Sequence, residues 1–300
     1  MIHIQILDTT MVESKFTLEE QMMARAISNA TKARPRCMPN PWVGAVLVSS
    51  DGQTFDGFTQ EFGSGHAEAV CLNEAGQKAQ GATLYVTLEP CSHSGKTGPC
   101  VERIIESRIS RVVIGIKDPD RQVCGEGIKS LQNAGVDVVV GVLEDLVAEQ
   151  LAPYVHHRNT GRPYVILKIA TTLDGKVAAP DGSSQWITGA QARREGHKLR
   201  AYSDAICVGR GTVISDNPQL TVRDWSADDD IDKNLDPRRI VLGNVPAEAA
   251  IHPCYEFSGD LLELLDELGN DGVLQLLVEG GASTYKAFHD LGLVLSLIHI

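Results

Sequence analysis

Two spacings of apolar residues alternate along this 300-residue chain, and the alternation sets out its elements. Between Thr17 and Lys32, Leu18, Met22, Ala26 and Ala30 return every fourth residue beside Met23 and Ile27, the period of a helix with one buried face. Thr17 and Glu20 have the spacing of a capping box, and Pro35 forbids continuation, so both ends are marked. Short apolar runs follow: Val43 to Ser49, Ala82 to Leu88, Arg111 to Ile116 and Val136 to Val140 read as buried strands. Helices are predicted among them over Ala67 to Ala79, Val101 to Ser107 and Ile128 to Ala134. Such a series predicts an α/β sheet covered by helices on both faces.

The polar stretch from His156 to Pro163 interrupts this series and is read as a domain boundary. A second series then runs through strands at Tyr164 to Ile169, Ala205 to Gly209, Arg239 to Leu242 and Val273 to Val278. Its helices are predicted over Ala190 to Arg200 and Leu261 to Leu268. Residues 224–236 are acidic and poor in apolar side chains, the composition of a solvated loop, and carry no functional assignment.

Composition narrows the function. With 43% hydrophobic and 22% charged residues, the chain can bury two cores. A formal charge of −12 argues against nucleic-acid partners, which require a concentrated basic surface, and favours a small-molecule substrate. No apolar run approaches the roughly eighteen residues of a membrane span, and acids stand where a secretory signal would carry lysines, so a cytoplasmic protein without a membrane partner is expected. Seven scattered cysteines do not form a disulfide framework; they are either inert buried thiols or, in part, metal ligands.

His66-Ala67-Glu68 opens one predicted helix, Pro90-Cys91 follows a strand, and Cys100 opens the next helix. One imidazole and two thiolates suit Zn2+, and three protein ligands leave a fourth tetrahedral position for water, as in catalytic zinc sites. A helix start also favours a thiolate at Cys100. Glu68 needs no metal contact, and its carboxylate can take a proton from the water and deliver it to a leaving amine. H-x-E followed by P-C-x-x-C is a zinc-deaminase signature; here eight residues rather than two separate Cys91 from Cys100. A single histidine at a helix start is more often structural, and it is the combination of the segments that points to a metal.

Further segments extend the pattern: Pro39-Asn40-Pro41-Trp42-Val43-Gly44, Thr87-Leu88-Glu89-Pro90-Cys91-Ser92-His93 through Gly98-Pro99-Cys100, Asp118-Pro119-Asp120, and Gly125-Glu126-Gly127. With them the chain resembles the bifunctional riboflavin-biosynthesis deaminase/reductases, whose wide cysteine spacing it shares. That spacing separates it from cytidine and transfer-RNA adenosine deaminases. The resemblance implies zinc on His66, Cys91 and Cys100, Glu68 as proton shuttle, and substrate contacts at Asn40, His93, Lys96 and Asp118. Asp120-Arg121 departs from the Asn-Pro frequent in the family, and Asn40 reads equally as a turn residue before proline.

In the second half, Lys168 to Lys176, Ser184-Gln185-Trp186-Ile187-Thr188, Gly209-Arg210-Gly211-Thr212, Asp216-Asn217-Pro218, Leu220-Thr221-Val222-Arg223 and Val278-Glu279-Gly280-Gly281-Ala282-Ser283 resemble, in this order, the reductase domain of the same family. The Gly280-Gly281 turn between strand and helix offers free backbone N–H groups to a phosphate, although such turns are more often plain turns, and the dinucleotide fingerprint G-x-G-x-x-G is absent. The resemblance implies NADPH, held at Ala170, Trp186, Thr212, Asp216 and Gly281, and substrate contacts at Ser184, Arg200, Leu220, Arg223 and Glu279. Arg200 and Arg223 present forked donors suited to a substrate phosphate, or to surface ion pairs.

The fold class implied is α/β: a cytidine-deaminase-like three-layer domain over residues 1–155, then an incomplete dihydrofolate-reductase-like domain over residues 163–294. Residues 295–300 look foreign to the family and are read as a non-native tail of the kind encoded when a frame runs off a DNA fragment; a genuine terminal strand is the alternative. Met11 is a second candidate start. The implied activity is hydrolytic deamination, by a zinc-activated hydroxide, of 2,5-diamino-6-(5-phosphoribosylamino)pyrimidin-4-one, followed by NADPH reduction of the ribosyl group to a ribityl chain. A homo-oligomer is also expected. The rivals are a nucleoside or nucleic-acid deaminase with an unrelated appendage, and a non-catalytic zinc-stabilised module in which Glu68 is dispensable.

Overall fold

A computed structural model describes residues 16–92, 98–121, 123–177, 187–223, 225 and 235–300. It divides into two compact units, Met1–Leu151 and Ala152–Ile300. The expected contacts His93, Lys96, Ser184 and Trp186 lie outside the described residues, as does most of the acidic stretch at 224–236.

The first unit is built on a five-stranded sheet of order β2-β1-β3-β4-β5, with β1 (Gly44–Val48), β2 (Thr54–Phe58), β3 (Thr83–Leu88), β4 (Arg111–Ile116) and β5 (Asp137–Val140). β1 is antiparallel to β2 and β3, while β3, β4 and β5 are parallel. Helix α1 (Leu18–Ala33) carries the expected box: Glu20 N–H donates to the Thr17 hydroxyl and Thr17 N–H to the Glu20 carboxylate. Then follow α2 (Ala67–Ala75), α3 (Cys100–Glu106), α4 (Glu126–Asn133) and α5 (Glu144–Gln150). The helix predicted to reach Ala79 passes into a 3-10 turn at Gly76–Ala79.

β2 is absent from the sequence-based assignment. Its inward positions are Phe55 and Gly57, and a glycine there removes the apolar alternation that would reveal a strand. Gly57 is small for a reason: a Cβ at this position would stand 2.2 Å from the Ala67 carbonyl and 2.6 Å from Cys71 Sγ. Its absence allows the first turn of α2 to lie directly on the strand.

The second unit holds a six-stranded, wholly parallel sheet of order β11-β6-β10-β7-β8-β9. Its strands are β6 (Tyr164–Ile169), β7 (Ala205–Gly209), β8 (Arg238–Leu242), β9 (Tyr255–Phe257), β10 (Gln275–Val278) and β11 (Ser296–His299). Alternate residues feed two cores, Ala205 and Cys207 of β7 joining one and Ile206 and Val208 the other, as a parallel sheet covered on both faces requires. Leu261, Leu264, Leu265 and Leu268 of α9 (Leu261–Asn270) and Phe288 of α10 (Ala282–Asp290) fill the first core. α7 (Ala190–Ala201) and α8 (Arg210–Asp216) contribute Leu199 and Val213 to the second.

The polar stretch at 156–163, read as a boundary, is mostly helix: α6 spans Ala152–Thr160. His157 Nε2 reaches the Gly269 carbonyl at 2.9 Å and Arg158 stacks 4.8 Å from the Tyr154 ring, so the polar groups of this helix are used internally. Asp236, at the end of the acidic stretch, is likewise no solvated charge, since it accepts from Val222 N at 2.7 Å and pairs with Arg239 at 3.2 Å. The hexapeptide 295–300 supplies β11, which runs along β6 from Ser296↔Ile166 to His299↔Ile169.

Gly57→Val should lower unfolding stability by about 1–3 kcal/mol through overpacking against α2. Denaturant titration measures it, and a loss below about 0.5 kcal/mol, the scale of a neutral surface change, would contradict the close approach.

Candidate functional site

His66 is the residue before α2, Cys91 follows the carboxyl end of β3, and Cys100 opens α3. These three points meet. His66 Nδ1 lies 3.6 Å from Cys91 Sγ and 3.3 Å from Cys100 Sγ, and the three ligand atoms all fall within 4.8 Å of one another. Glu68, only 4% exposed, stands in the first turn of α2 two residues after His66, near enough to Cys91 and His66 for their charges to act on its carboxyl. The sequence reading placed the helix-start effect on Cys100; in the structure the Cys100 amide points instead at Cys91 Sγ, at 3.4 Å.

The electrostatics follow from that arrangement. The Cys100 thiol, then His66 and the Cys100 amide, hold Cys91 at about 4 against the burial that opposes ionisation. Cys100 is pushed up by its bond to Cys91 and by burial. The bond to Cys91 raises His66, while burial raises Glu68 and the Cys91 charge adds to that rise. One imidazole nitrogen and two sulfurs, half-buried to buried and converging on one point, match the donor set of a three-ligand zinc site.

Glu89, which the sequence reading left without a role, organises the surrounding loops. It is 3% exposed, and its two oxygens accept from three backbone amides: Asp118 at 3.2 Å, Gly125 at 3.0 Å and Ile128 at 3.1 Å. Asp118 is thereby buried at the end of β4, with its own carboxylate accepting from Asp120 N at 2.8 Å. The signal was available: an acid between an apolar strand and Pro-Cys seldom survives burial without several donors. Asn40 sits in a turn closed by its amide on the Cys37 carbonyl. Trp42 of the same segment is a buried anchor whose indole donates to Gln150 O at 3.0 Å.

In the second unit, β6, β10 and β7 are parallel neighbours, so the residues after them emerge at one sheet edge. Ala170, Glu279 and the start of α8 are there. A Cβ on Gly281 would stand 3.1 Å from Thr212 Oγ1, so two expected cofactor contacts adjoin. Gly281 has φ 28° and no side chain with which to cap α10, leaving the first amides of that helix to a ligand. Asp216, by contrast, ends α8 on the surface, where Ser215 Oγ donates to it.

Glu279 centres the edge. Its side chain is 5% exposed and grips Arg200 bidentately at 2.7 and 2.9 Å, with Lys168 Nζ at 3.6 Å. Burial alone would push Glu279 up; Arg200 and Lys168 outweigh it and hold the carboxyl below the usual range. The Arg200 fork, expected to face a phosphate, is thus turned to Glu279, and its remaining Nη1 donates to Thr221 O at 3.0 Å. Lys168 was quoted in a segment but given no role. Leu220, buried with φ 54°, bends the chain ahead of Thr221, and Arg223 stays exposed with Nη1 on Gln219 and Thr221. Burial and then the Arg200 and Arg223 charges lower His197, whose Nδ1 accepts from Arg223 N at 3.1 Å.

The geometry defines a class: a zinc-binding deaminase unit of the cytidine-deaminase type followed by a separate α/β reductase unit. Residues 17–116 match the cytidine and deoxycytidylate deaminase zinc-binding region, and residues 163–299 match the RibD C-terminal domain. The riboflavin biosynthesis protein RibD of Chlamydia trachomatis is 38% identical over 92% of this chain and 82% of its own length, and that of Escherichia coli 37% identical over 93% and 86%. Acinetobacter baumannii RibD superposes with a TM-score of 0.86 at 36% identity, covering 94% of this chain and 85% of that one. The Thermotoga maritima diaminohydroxyphosphoribosylaminopyrimidine deaminase/5-amino-6-(5-phosphoribosylamino)uracil reductase gives 0.81 at 37% identity, over 91% and 84%. The chain belongs to the RibD family of bifunctional riboflavin-biosynthesis deaminase/reductases. Its cofactors are zinc in the first unit and NADPH in the second, and no described helix is long and apolar enough to cross a membrane.

Arg200→Met leaves a buried carboxylate with only Lys168 nearby, and should cost roughly 3–5 kcal/mol at neutral pH. Glu279 has a depressed folded value, so the pair's contribution is present above the ordinary carboxylate pKa of 4.5 and lost as pH falls through the lower folded value. Unfolding titrations of wild type and variant should therefore converge as pH falls below the ordinary carboxylate range, and a pH-independent gap would contradict the assignment.

Proposed function

We propose that the cluster at His66, Cys91 and Cys100, in a deaminase domain at residues 1–155, deaminates 2,5-diamino-6-(5-phosphoribosylamino)pyrimidin-4-one. The edge around Glu279, in a reductase domain at residues 163–294, then reduces the ribosyl group of the product. The observation that carries the first assignment is the buried Glu68 carboxylate beside three converging ligand atoms. When bound, zinc acidifies a water so that it reacts at neutral pH. Glu68 would take a proton from the attacking water as the oxygen adds to the amine-bearing ring carbon and pass it to the departing nitrogen as the carbon–nitrogen bond breaks, so that ammonia leaves; the proton left on the added oxygen would move to the ring nitrogen, giving the ring carbonyl. Burial suits Glu68 to both roles, because it raises the carboxyl above the ordinary carboxylate range and so makes it the stronger base. Asp118, fixed by Glu89, faces the pyrimidine together with Asn40, His93 and Lys96.

In the second unit, NADPH supplies hydride to the opened sugar. Ala170, Thr212 and the Gly281 turn hold the cofactor, with Trp186 and Asp216 completing its contacts. Arg223, exposed, with its backbone amide on His197 and its guanidinium on Gln219 and Thr221, takes the substrate phosphate, while Arg200 positions Glu279 and Lys168 toward the ribosyl oxygens, with Ser184 and Leu220 as further substrate contacts. This divides the two arginines: one binds substrate and the other holds the acid. A cytoplasmic location and assembly as a homo-oligomer belong to the same reading.

Glu68→Gln should retain zinc and lose ammonia release by about 100-fold to 10,000-fold, the usual worth of a general acid–base. Cytidine, run as a control substrate, should release none. Undiminished ammonia release from the variant would overturn the role of Glu68 and favour a structural zinc module.

A further inference from the structure

A second group of metal-ligating side chains stands apart from the cluster described above, on the outer edge of the reductase sheet. His252, Cys254 and Glu256 lead into and along β9, and one ligand atom from each lies within 4.8 Å of the others. His252 Nδ1 is 3.5 Å from Cys254 Sγ, inside the 3.3 to 3.6 Å span that separates His66 Nδ1 from its two sulfurs. Ligands about 2.0–2.3 Å from a tetrahedral ion are about 3.3–3.8 Å apart, so little movement is needed to close the group on a cation.

The surroundings prepare each donor. His252 Nε2 is 3.0 Å from the Pro246 carbonyl, a contact that requires its proton there and leaves the Nδ1 lone pair directed at the thiol. One Glu256 oxygen, Oε2, accepts from Val245 N at 3.2 Å, which orients the carboxylate. All three residues are half-buried, and Cys254 packs against the core on that face of the sheet, while Tyr255 and Phe257 turn to the other. Arg239, a cation close to Cys254, is engaged with Asp236 and with the carbonyls of Ile251 and His252. Charge balances as well: a thiolate and a carboxylate neutralise a divalent ion.

We propose that His252, Cys254 and Glu256 form a second zinc site, with a fourth position open to water, distinct from the deaminase metal and independent of the reading given to that site. It braces the segment between β8 and β9 against α8. Ala250 N donates to Asn217 Oδ1 at 2.8 Å and Arg210 Nε to Asn244 O at 2.9 Å, so the segment that closes the metal loop also contacts the helix carrying Thr212.

The full-length protein, stripped by chelator and equilibrated with micromolar Zn2+, should hold about two equivalents by elemental analysis. Cys254→Ser and Glu256→Gln should each hold about one and keep wild-type ammonia release. The double variant His66→Ala/Cys100→Ser should keep about one equivalent and, with Co2+ in place of Zn2+, a thiolate-to-cobalt absorption band that Cys254→Ser abolishes. One equivalent in wild type, none in the double variant, or two in Cys254→Ser overturns the second site; loss of only the first-site equivalent in His66→Ala/Cys100→Ser tests the deaminase metal separately.

Discussion

Everything in the first unit depends on bringing two thiols, an imidazole and a carboxylate to one buried point. Each of these groups is costly to bury alone, and together they are compatible only if protons or a cation balance them. The chain meets this constraint with three element ends: the start of α2, the exit of β3 and the start of α3. Gly57 lets α2 lie on the sheet closely enough for His66 and Glu68 to reach the exit of β3. Glu89, anchored by three amides, fixes the neighbouring loops in turn. Packing and electrostatics are therefore one arrangement here, since a shift of α2 would carry His66 and Glu68 away from the two sulfurs.

The second unit solves a similar problem with an ion pair. Glu279 is buried at the carboxyl edge of a parallel sheet, where a ligand crevice is expected, and is kept ionised by Arg200 and Lys168. The glycine turn that follows opens the amides of α10 beside Thr212. Backbone amides and the exposed Arg223 thus lie near this edge, although the chain as a whole carries a formal charge of −12.

What could be read from sequence divides along physical lines. The strands β3, β4, β6 and β7 were legible because both their faces are covered, which leaves uninterrupted apolar runs. β2 was hidden by its inward glycine, β9 by its three-residue length, and α8 by a Gly-Arg-Gly-Thr start that resembles a turn. His66, Glu68, Cys91 and Cys100 were found because metal chemistry restricts residue types and spacing together. The Arg200–Glu279 pair was not legible, because a contact across 79 residues leaves no local pattern. The same holds for His252, Cys254 and Glu256: alternate residues leading into a short strand look like ordinary half-exposed positions until their side chains are seen to converge.

The central claim is that a single ion is held by His66, Cys91 and Cys100. X-ray absorption at the zinc edge of the Cys254→Ser protein, loaded with about one equivalent, tests it most directly. The account predicts two sulfurs at about 2.3 Å with one imidazole nitrogen and one further light atom at about 2.0–2.1 Å. A shell with no sulfur, or with four, would contradict it.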